Sequence, residues 1–300
     1  MSGLLSPSGS SIELRRLLDE ATSAGRPLVL PGCYDALGAR LIEQAGFDAA
    51  YMTGFGTTAS LLGRPDVGLL GMTEMLDNAR RIVEATSLPV VADADTGYGN
   101  QINVIRTVRA DEQAGVAGLH LEDQVTPKRC GHMENKQVID ADVMVGKIRA
   151  AVAARADDDG LVLIARTDAR APHGLDEALR RAEACAEAGA DVLFVEALQG
   201  TDELERVAAE LAGVPLLFNW VEGGKTPPLS YDEIAELGFA MIIMPIGTLL
   251  AATAAMQHLL ARLRADGTPA GFVDELMAFG DFTELVGLPE VDELGERFAR

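Results

Sequence analysis

Apolar residues in this chain gather into eight short, nearly continuous runs. They are LVLPGCY from Leu28, AAYMTG from Ala49, PVVADAD from Pro89, GLHLED from Gly118, LVLIARTD from Leu161, DVLFVEA from Asp191, PLLFNW from Pro215 and AMIIMP from Ala240. Continuous apolar runs fit strands covered on both faces, as in a parallel sheet. Between them the apolar residues take helical spacing. The segments 35–46, 73–86, 103–114, 141–156, 175–188, 202–211 and 231–237 read as amphipathic helices, and 249–264 follows the last run. The first opens on Asp35, a natural N-cap, and stops at Gly46. Several end in one phrase, QAGFDA, QAGVAG, EAGADV or ELGFAM, where glycine stops a helix and a strand follows.

Strand and helix thus alternate eight times, which predicts βα units around a parallel sheet. A helix after the eighth strand favours a closed (β/α)8 TIM barrel over an open doubly wound sheet. Two segments lie outside the barrel. A leading helix over 10–24 is placed to close the bottom. The tail from Pro269 reads as two or three short amphipathic helices whose Phe and Leu residues need a partner surface. No low-complexity linker interrupts the chain. The expectation is a single domain over residues 1–300, with a barrel core of about 25–265 and a helical extension of about 266–300.

Composition narrows the class. Hydrophobic residues make up 48% and charged residues 24% of the 300, the balance of an ordinary globular protein. The formal net charge of −21 argues against nucleic acid or an anionic membrane as partner. It leaves room for a small anionic substrate, because a local cluster of Arg and Lys can overrule the global field. No apolar stretch is long enough to span a bilayer, and the N-terminus lacks a signal-peptide pattern. The cysteines Cys33, Cys130 and Cys185 are few and odd in number. They suggest reduced thiols and a cytoplasmic location.

In a barrel, chemistry sits where the strands end. The third run ends in Asp93-Ala94-Asp95, the fourth in Glu122-Asp123, the fifth in Arg166-Thr167-Asp168, the sixth in Glu196 and the seventh in Asn219. A lone DxD is ordinarily a solvated turn. Here Asp93 and Asp95 stand two apart on a segment read as extended, so they face one side, and Glu122 comes from the next strand. Three converging carboxylates call for a cation, and hard oxygen donors without histidine favour Mg²⁺, with Mn²⁺ possible, over zinc. Residues 122–132, EDQVTPKRCGH, then place a thiol, an imidazole and two cations in one loop at this face. Neighbouring Lys128 and Arg129 favour a thiolate at Cys130. Cysteine and histidine beside a metal suit proton transfer to a carbanion. The stretch 124–138 is long and glycine-punctuated, as a lid would be.

These segments carry a resemblance. PGCYDALGARLIEQAGFDAAYMTG, DADTGYGN, GLHLEDQVTPKRCGH, ARTDA, NWVEGGKTP and MPIGTLLAA together resemble the isocitrate lyase/phosphoenolpyruvate mutase superfamily over nearly the whole chain. Lys128–His132 is similar to the mark of its carbon–carbon lyase branch, which includes 2-methylisocitrate and dimethylmalate lyases. The resemblance implies a Mg²⁺-dependent lyase. It would cleave a 2-hydroxy di- or tricarboxylate to an α-keto acid such as pyruvate plus a carboxylic acid. It also implies a homotetramer built from dimers, in which the last barrel helix packs on a neighbouring subunit. Asp95 would be the nearest metal ligand, supported by Asp93 and Glu122. Thr53, Gly54 and Gly56 would hold a carboxylate, with Asp66 near the reacting end. Gly131, Asn219 and Thr226 would also contact substrate. Lys128, Cys130, His132, Arg166 and Glu196 would be catalytic. Met133 and Trp220–Gly224 depart from the usual 2-methylisocitrate lyase wording and favour a smaller, malate-like substrate. They also bring the chain near carboxyvinyl-carboxyphosphonate phosphonomutases. Phosphonomutase chemistry, or hydrolysis or decarboxylation of oxaloacetate, is the alternative activity.

Overall fold

Each of the eight apolar runs becomes a strand in the computed structural model, which describes residues 3–131, 133, 135–157 and 160–299. The strands are β1 (Leu28–Cys33), β2 (Ala50–Met52), β3 (Val90–Asp93), β4 (Gly118–Glu122), β5 (Val162–Thr167), β6 (Val192–Val195), β7 (Leu217–Asn219) and β8 (Met241–Met244). Neighbours in sequence pair in parallel from β1 to β6, β7 pairs with β8, and β8 returns to β1. A single parallel bridge between Leu193 and Leu216 joins β6 to the start of β7. The result is a nearly closed (β/α)8 barrel of the TIM type, as the alternation predicts.

Strand parity sorts the side chains into two cores. Leu28, Leu30, Tyr51, Val91, Val162, Ile164, Val192, Phe194, Leu217, Met241 and Ile243 fill the barrel interior. Leu14 and Leu18, from the leading helix Ser11–Ala24, join that cluster and plug its floor. The alternate residues, such as Met52, Val90, Ala92, Leu119, Leu121, Leu163, Leu193, Phe218 and Ile242, pack outward under the helices. Because successive strand residues point to opposite faces, this register decides the site. Counting on by twos from the interior positions puts Thr53, Asp93, Arg166, Glu196 and Asn219 inside the barrel mouth. His120 and Glu122 follow, since Leu119 and Leu121 face out.

The predicted barrel helices form with ends shifted by at most two residues. Two were not predicted: Gly54–Leu62 after β2 and the short Arg170–His173 after β5. The segment GFGTTASLL reads poorly as a helix because of its glycines and β-branched threonines. Its start is nonetheless fixed by Thr53, whose hydroxyl accepts from the Gly56 amide at 3.2 Å. After β8 the helix Gly247–Asp266 buries none of its residues. The tail beyond it forms Val273–Glu275, Phe279–Leu285 and Leu288–Phe298, and leaves large apolar groups exposed, Phe279 at 83% and Phe298 at 66%.

Candidate active site

A cavity of about 240 Å³ opens at the carboxyl ends of the strands. Tyr51, Thr53, Asp66, Asp93, Lys128, Cys130 and Arg166 line its polar side. Phe55, Met133, Val221, Ile243, Pro245 and Ile246 form an apolar wall, and Asn219 and Glu222 stand beside it.

The acidic ends of β3 and β4 do not converge as the DxD spacing suggested. Only Asp93 ends a strand and lines the cavity. Asp95 sits in a turn with φ +48°, a left-handed backbone that an L-residue adopts at a cost. Its amide donates to Asp93 Oδ1 at 2.9 Å, so the turn wraps around the Asp93 carboxylate. The side chain of Asp95 lines a second cavity behind Lys128. Lys128 separates the two spaces. Its Nζ lies 2.6 Å from Asp66 Oδ2 and 2.7 Å from Asp95 Oδ1, and the whole side chain is buried. Burial works against this ammonium, but Asp95, Asp93, Glu122 and Asp66 raise its pKa well above the ordinary lysine value.

Burial also opposes the charge on Asp93, yet His120, Lys128 and Arg166 hold that carboxyl down at about 2. His120 lies beneath it, with Nε2 2.8 Å from the Tyr51 hydroxyl and 3.5 Å from Asp93 Oδ1. Burial pushes His120 down to about 4, so at neutral pH it is a hydrogen-bonding ring and not a charge. Burial pushes Asp95 up to about 7, even with Lys128 against it.

Glu122 is fully buried, and neither of its carboxylate oxygens accepts a hydrogen bond among the described residues. Its nearest cation is Arg166 Nε at 3.3 Å. Burial drives the Glu122 pKa far up, with Arg166 and Lys128 opposing. Orphaned buried carboxylate oxygens of this kind fit a hard cation or the water bound to one. Among the described residues, however, no three His, Cys, Asp or Glu groups form a compact ligand set. The donors therefore fit a hydrated hard cation that Asp93, Asp95 and Glu122 would hold largely through water, and not a cage of direct ligands.

Arg166 is gripped at both ends of its fork. Asp168 takes Nε at 3.0 Å and Nη2 at 3.1 Å, while Glu196 stands 3.7 Å from Nη2 and the guanidinium lies over the Phe194 ring. Asn219 Nδ2 donates to Glu196 Oε2 at 3.0 Å. Glu196 thus holds Asn219 and flanks Arg166 without lining the cavity. Thr226 is also set apart, lining a small space behind Asn219 with Leu217 and Phe218. Gly54 and Gly56 are required by close approach. A Cβ on Gly54 would lie 2.4 Å from Asp93 Oδ2, and one on Gly56 would lie 2.6 Å from Thr53 Cγ2.

The loop after β4 folds back over this mouth. Its ends are tied by Val125 N to Gln137 O and by Ile139 N to Asp123 O, both 2.8 Å. Gln124 braces it by exchanging two hydrogen bonds with the Arg129 backbone. Cys130 and Gly131 face the cavity, and all three cysteines of the chain are thiols. The two cations expected beside Cys130 are placed elsewhere: Lys128 turns to Asp66 and Asp95, and Arg129 is exposed. The expectation for His132 falls outside the described residues. Tyr51, His120 and most of the apolar wall escaped the sequence reading, which marks Met133 and the Trp220–Gly224 stretch by their departure from the lyase wording but not as an apolar surface. Strand parity carries the signal for the first two, whereas Phe55, Val221 and Ile246 come from loops and helix starts that no periodicity marks.

Comparison with known proteins agrees with this construction. Residues 17–264 match the family model described as phosphoenolpyruvate phosphomutase. The chain belongs to the phosphoenolpyruvate mutase/isocitrate lyase superfamily. It is 48% identical over 280 residues to 2,3-dimethylmalate lyase of Eubacterium barkeri, covering 93% of this chain and 96% of that one. It is 40% identical over 282 residues to 2-methylisocitrate lyase of Escherichia coli, covering 93% and 95%. A crystal structure of a 2,3-dimethylmalate lyase superposes with a TM-score of 0.91 at 42% identity, covering 97% and 96%. A phosphonopyruvate hydrolase solved with oxalate and Mg²⁺ superposes at 0.85 with 32% identity, covering 97% and 100%. The carbon–carbon lyase branch suggested by Lys128–His132 is thus represented among its relatives.

Proposed function

We propose that this protein is a carbon–carbon lyase that cleaves an alkyl-substituted 2-hydroxydicarboxylate to an α-keto acid, such as pyruvate, and a carboxylic acid. The observation that carries the reading is the two-sided cavity. Lys128, Arg166 and Cys130 line one side, and Phe55, Met133, Val221, Pro245 and Ile246 line the other. The cationic side suits the carboxylates. The apolar wall suits an alkyl group on the carbon next to the carbinol, and supplies no counter-ion for a third carboxylate.

A Mg²⁺ or Mn²⁺ ion, which Asp93, Asp95 and Glu122 would hold, would polarise the substrate hydroxyl and its neighbouring carboxylate. The chain's own groups do the rest. Thr53 and the amides at the start of Gly54–Leu62 bind one carboxylate at a helix N-terminus. The carbinol O–H proton passes to a base within the closed cavity and over the cycle replaces the one that Cys130 gives up. The carbinol carbon becomes the keto carbon, and the C–C electron pair passes to the departing fragment. That fragment is an enolate of a carboxylate, doubly charged, and Arg166 and Lys128 offset the charge. The Cys130 thiol supplies the proton to its carbon. The lid of residues 124–138 excludes water while the carbanion exists.

The protein assembles as a homotetramer of paired dimers. The helix Gly247–Asp266, none of whose residues is buried, and the exposed apolar groups of the tail support that reading, because exposed apolar surface on this scale marks an interface. Among the described residues no helix is long and apolar enough to cross a membrane.

The test is a pyruvate-release assay with Mg²⁺ on a panel of 2,3-dimethylmalate, 2-methylisocitrate, oxaloacetate and a phosphonopyruvate. Release from the dimethylmalate with the highest kcat/KM is expected. Turnover confined to the phosphonate or to oxaloacetate would replace this reading with one of its alternatives.

A further inference from the structure

Lys136 lies at the far end of the lid, and nothing in its sequence setting marks it. It is nevertheless among the most buried charges of the molecule. Its side chain is 1% exposed, and its Nζ makes an ion pair of 2.6 Å with Asp168 Oδ1, itself fully buried. The same ammonium donates to the Gly131 carbonyl, five residues back along the lid.

Each of these two contacts leads directly to the reacting groups. Gly131 follows Cys130, and its Cα is pressed against the guanidinium so closely that a Cβ would stand 2.3 Å from Arg166 Nη2. Asp168 holds that guanidinium through both of its oxygens. Asp168 is in turn fixed at the lid's base, where its amide donates to Asp123 Oδ1 at 2.8 Å. Asp123 Oδ2 accepts from Thr167 and from Arg181, so the anchor is rigid. One ammonium therefore ties the lid backbone beside Cys130 to the carboxylate that orients Arg166.

We propose that Lys136 is a positioning residue that latches the lid, setting Cys130 and Arg166 in register with each other. A surface lysine would gain little from an ion pair. A buried one is costly unless its partners are complete, and here both partners belong to the machinery that must be aligned. Opening the lid breaks the Gly131 contact and leaves Asp168 holding Arg166 alone. Closing restores both at once, so the acid and the cation reach the substrate together. The latch itself is independent of which acid is cleaved; its effect on turnover rests on the function proposed above.

The experiment uses the full-length protein and the variants Lys136→Met and Lys136→Arg. Two quantities are measured: carboxamidomethylation of Cys130 by iodoacetamide, followed by peptide mass spectrometry, and steady-state kcat and KM for pyruvate release. The buried Cys33 and Cys185 serve as internal controls for global opening. In Lys136→Met, Cys130 should label on the order of tenfold faster while Cys33 and Cys185 stay protected. A misplaced acid costs on the order of 100-fold in rate, so kcat should fall by that much with KM changed far less. Lys136→Arg keeps the charge that Asp168 needs but alters the reach to Gly131, so it should fold normally and label at an intermediate rate. Unchanged Cys130 labelling in Lys136→Arg, or a rise matched by Cys33 and Cys185, would reduce Lys136 to a structural ion pair. If the wild type turns over no acid in the panel, the proposed function fails while the labelling arm still judges the latch.

Discussion

Gly131 meets Arg166 with no space between them: a Cβ on the glycine would lie 2.3 Å from Arg166 Nη2 and 2.6 Å from Glu196 Cδ. This contact seats the lid on the guanidinium. Gly131→Ala should therefore hold the lid off its seat and not unfold the barrel, whose core is formed elsewhere. The expected outcome is a kcat loss of about 100-fold with a melting temperature close to wild type. A variant with normal kcat would show that the lid need not seat here.

Cys130→Ser tests the acid. The hydroxyl fills the thiol's place but is a far weaker proton donor. Turnover should fall below detection while pyruvate binding, followed by calorimetry, stays within a few-fold of wild type. Near-normal turnover in this variant removes the cysteine from the mechanism.

Lys128 is shared by Asp66 and Asp95, and its loss leaves both carboxylates buried without that partner. Removing one member of a buried pair costs about 3–5 kcal/mol. Lys128→Met should lower the melting temperature and raise KM. Lys128→Met combined with Asp66→Asn should recover part of the stability but none of the activity. No recovery in the double variant would place the stabilising charge elsewhere.

The donor chemistry around Glu122 predicts dependence on a hard divalent ion. Exhaustive treatment with EDTA should abolish pyruvate release. Mg²⁺ or Mn²⁺ should restore it, and Glu122→Gln should raise the Mg²⁺ concentration needed for half-restoration. Full activity after chelation would remove the ion from the reaction.

Away from the site, Asp111 on the helix Gln101–Gln113 is pushed up to about 7 by burial alone. Its folded pKa exceeds its unfolded one, so the native state holds the extra proton. That contribution is whole below about pH 4 and is lost as pH rises through about 7. Asp111→Asn should therefore raise the melting temperature relative to wild type at pH 8 and leave it nearly unchanged at pH 4. An equal difference at both pH values would show that the effect does not come from the ionisation.

The apolar runs by themselves determined the barrel. Eight buried strands, each followed by a helical segment, favour a closed parallel sheet over an open doubly wound one, and the polar residues at the strand ends mark the catalytic mouth. The same pattern made Asp93, Glu122 and Arg166 legible as site residues, and the wording of the loop after the fourth run did so for Cys130. Tertiary structure decided the rest. Asp95 looked like a partner of Asp93 on an extended segment, but the chain turns left-handed there and sends its side chain behind Lys128. Thr226 moved away from the cavity for a similar reason, since loop direction after β7 has no periodic signature. Lys128 and Arg129 looked like neighbours of the thiol, yet one is drawn to the carboxylates and the other faces solvent. Lys136 had no signal at all, because its meaning comes from Asp168 and Gly131, which the folded lid brings to one ammonium. Periodicity reports which face of a strand or helix is buried. It carries no information on which charges meet across loops, and that pairing sets the geometry of this site.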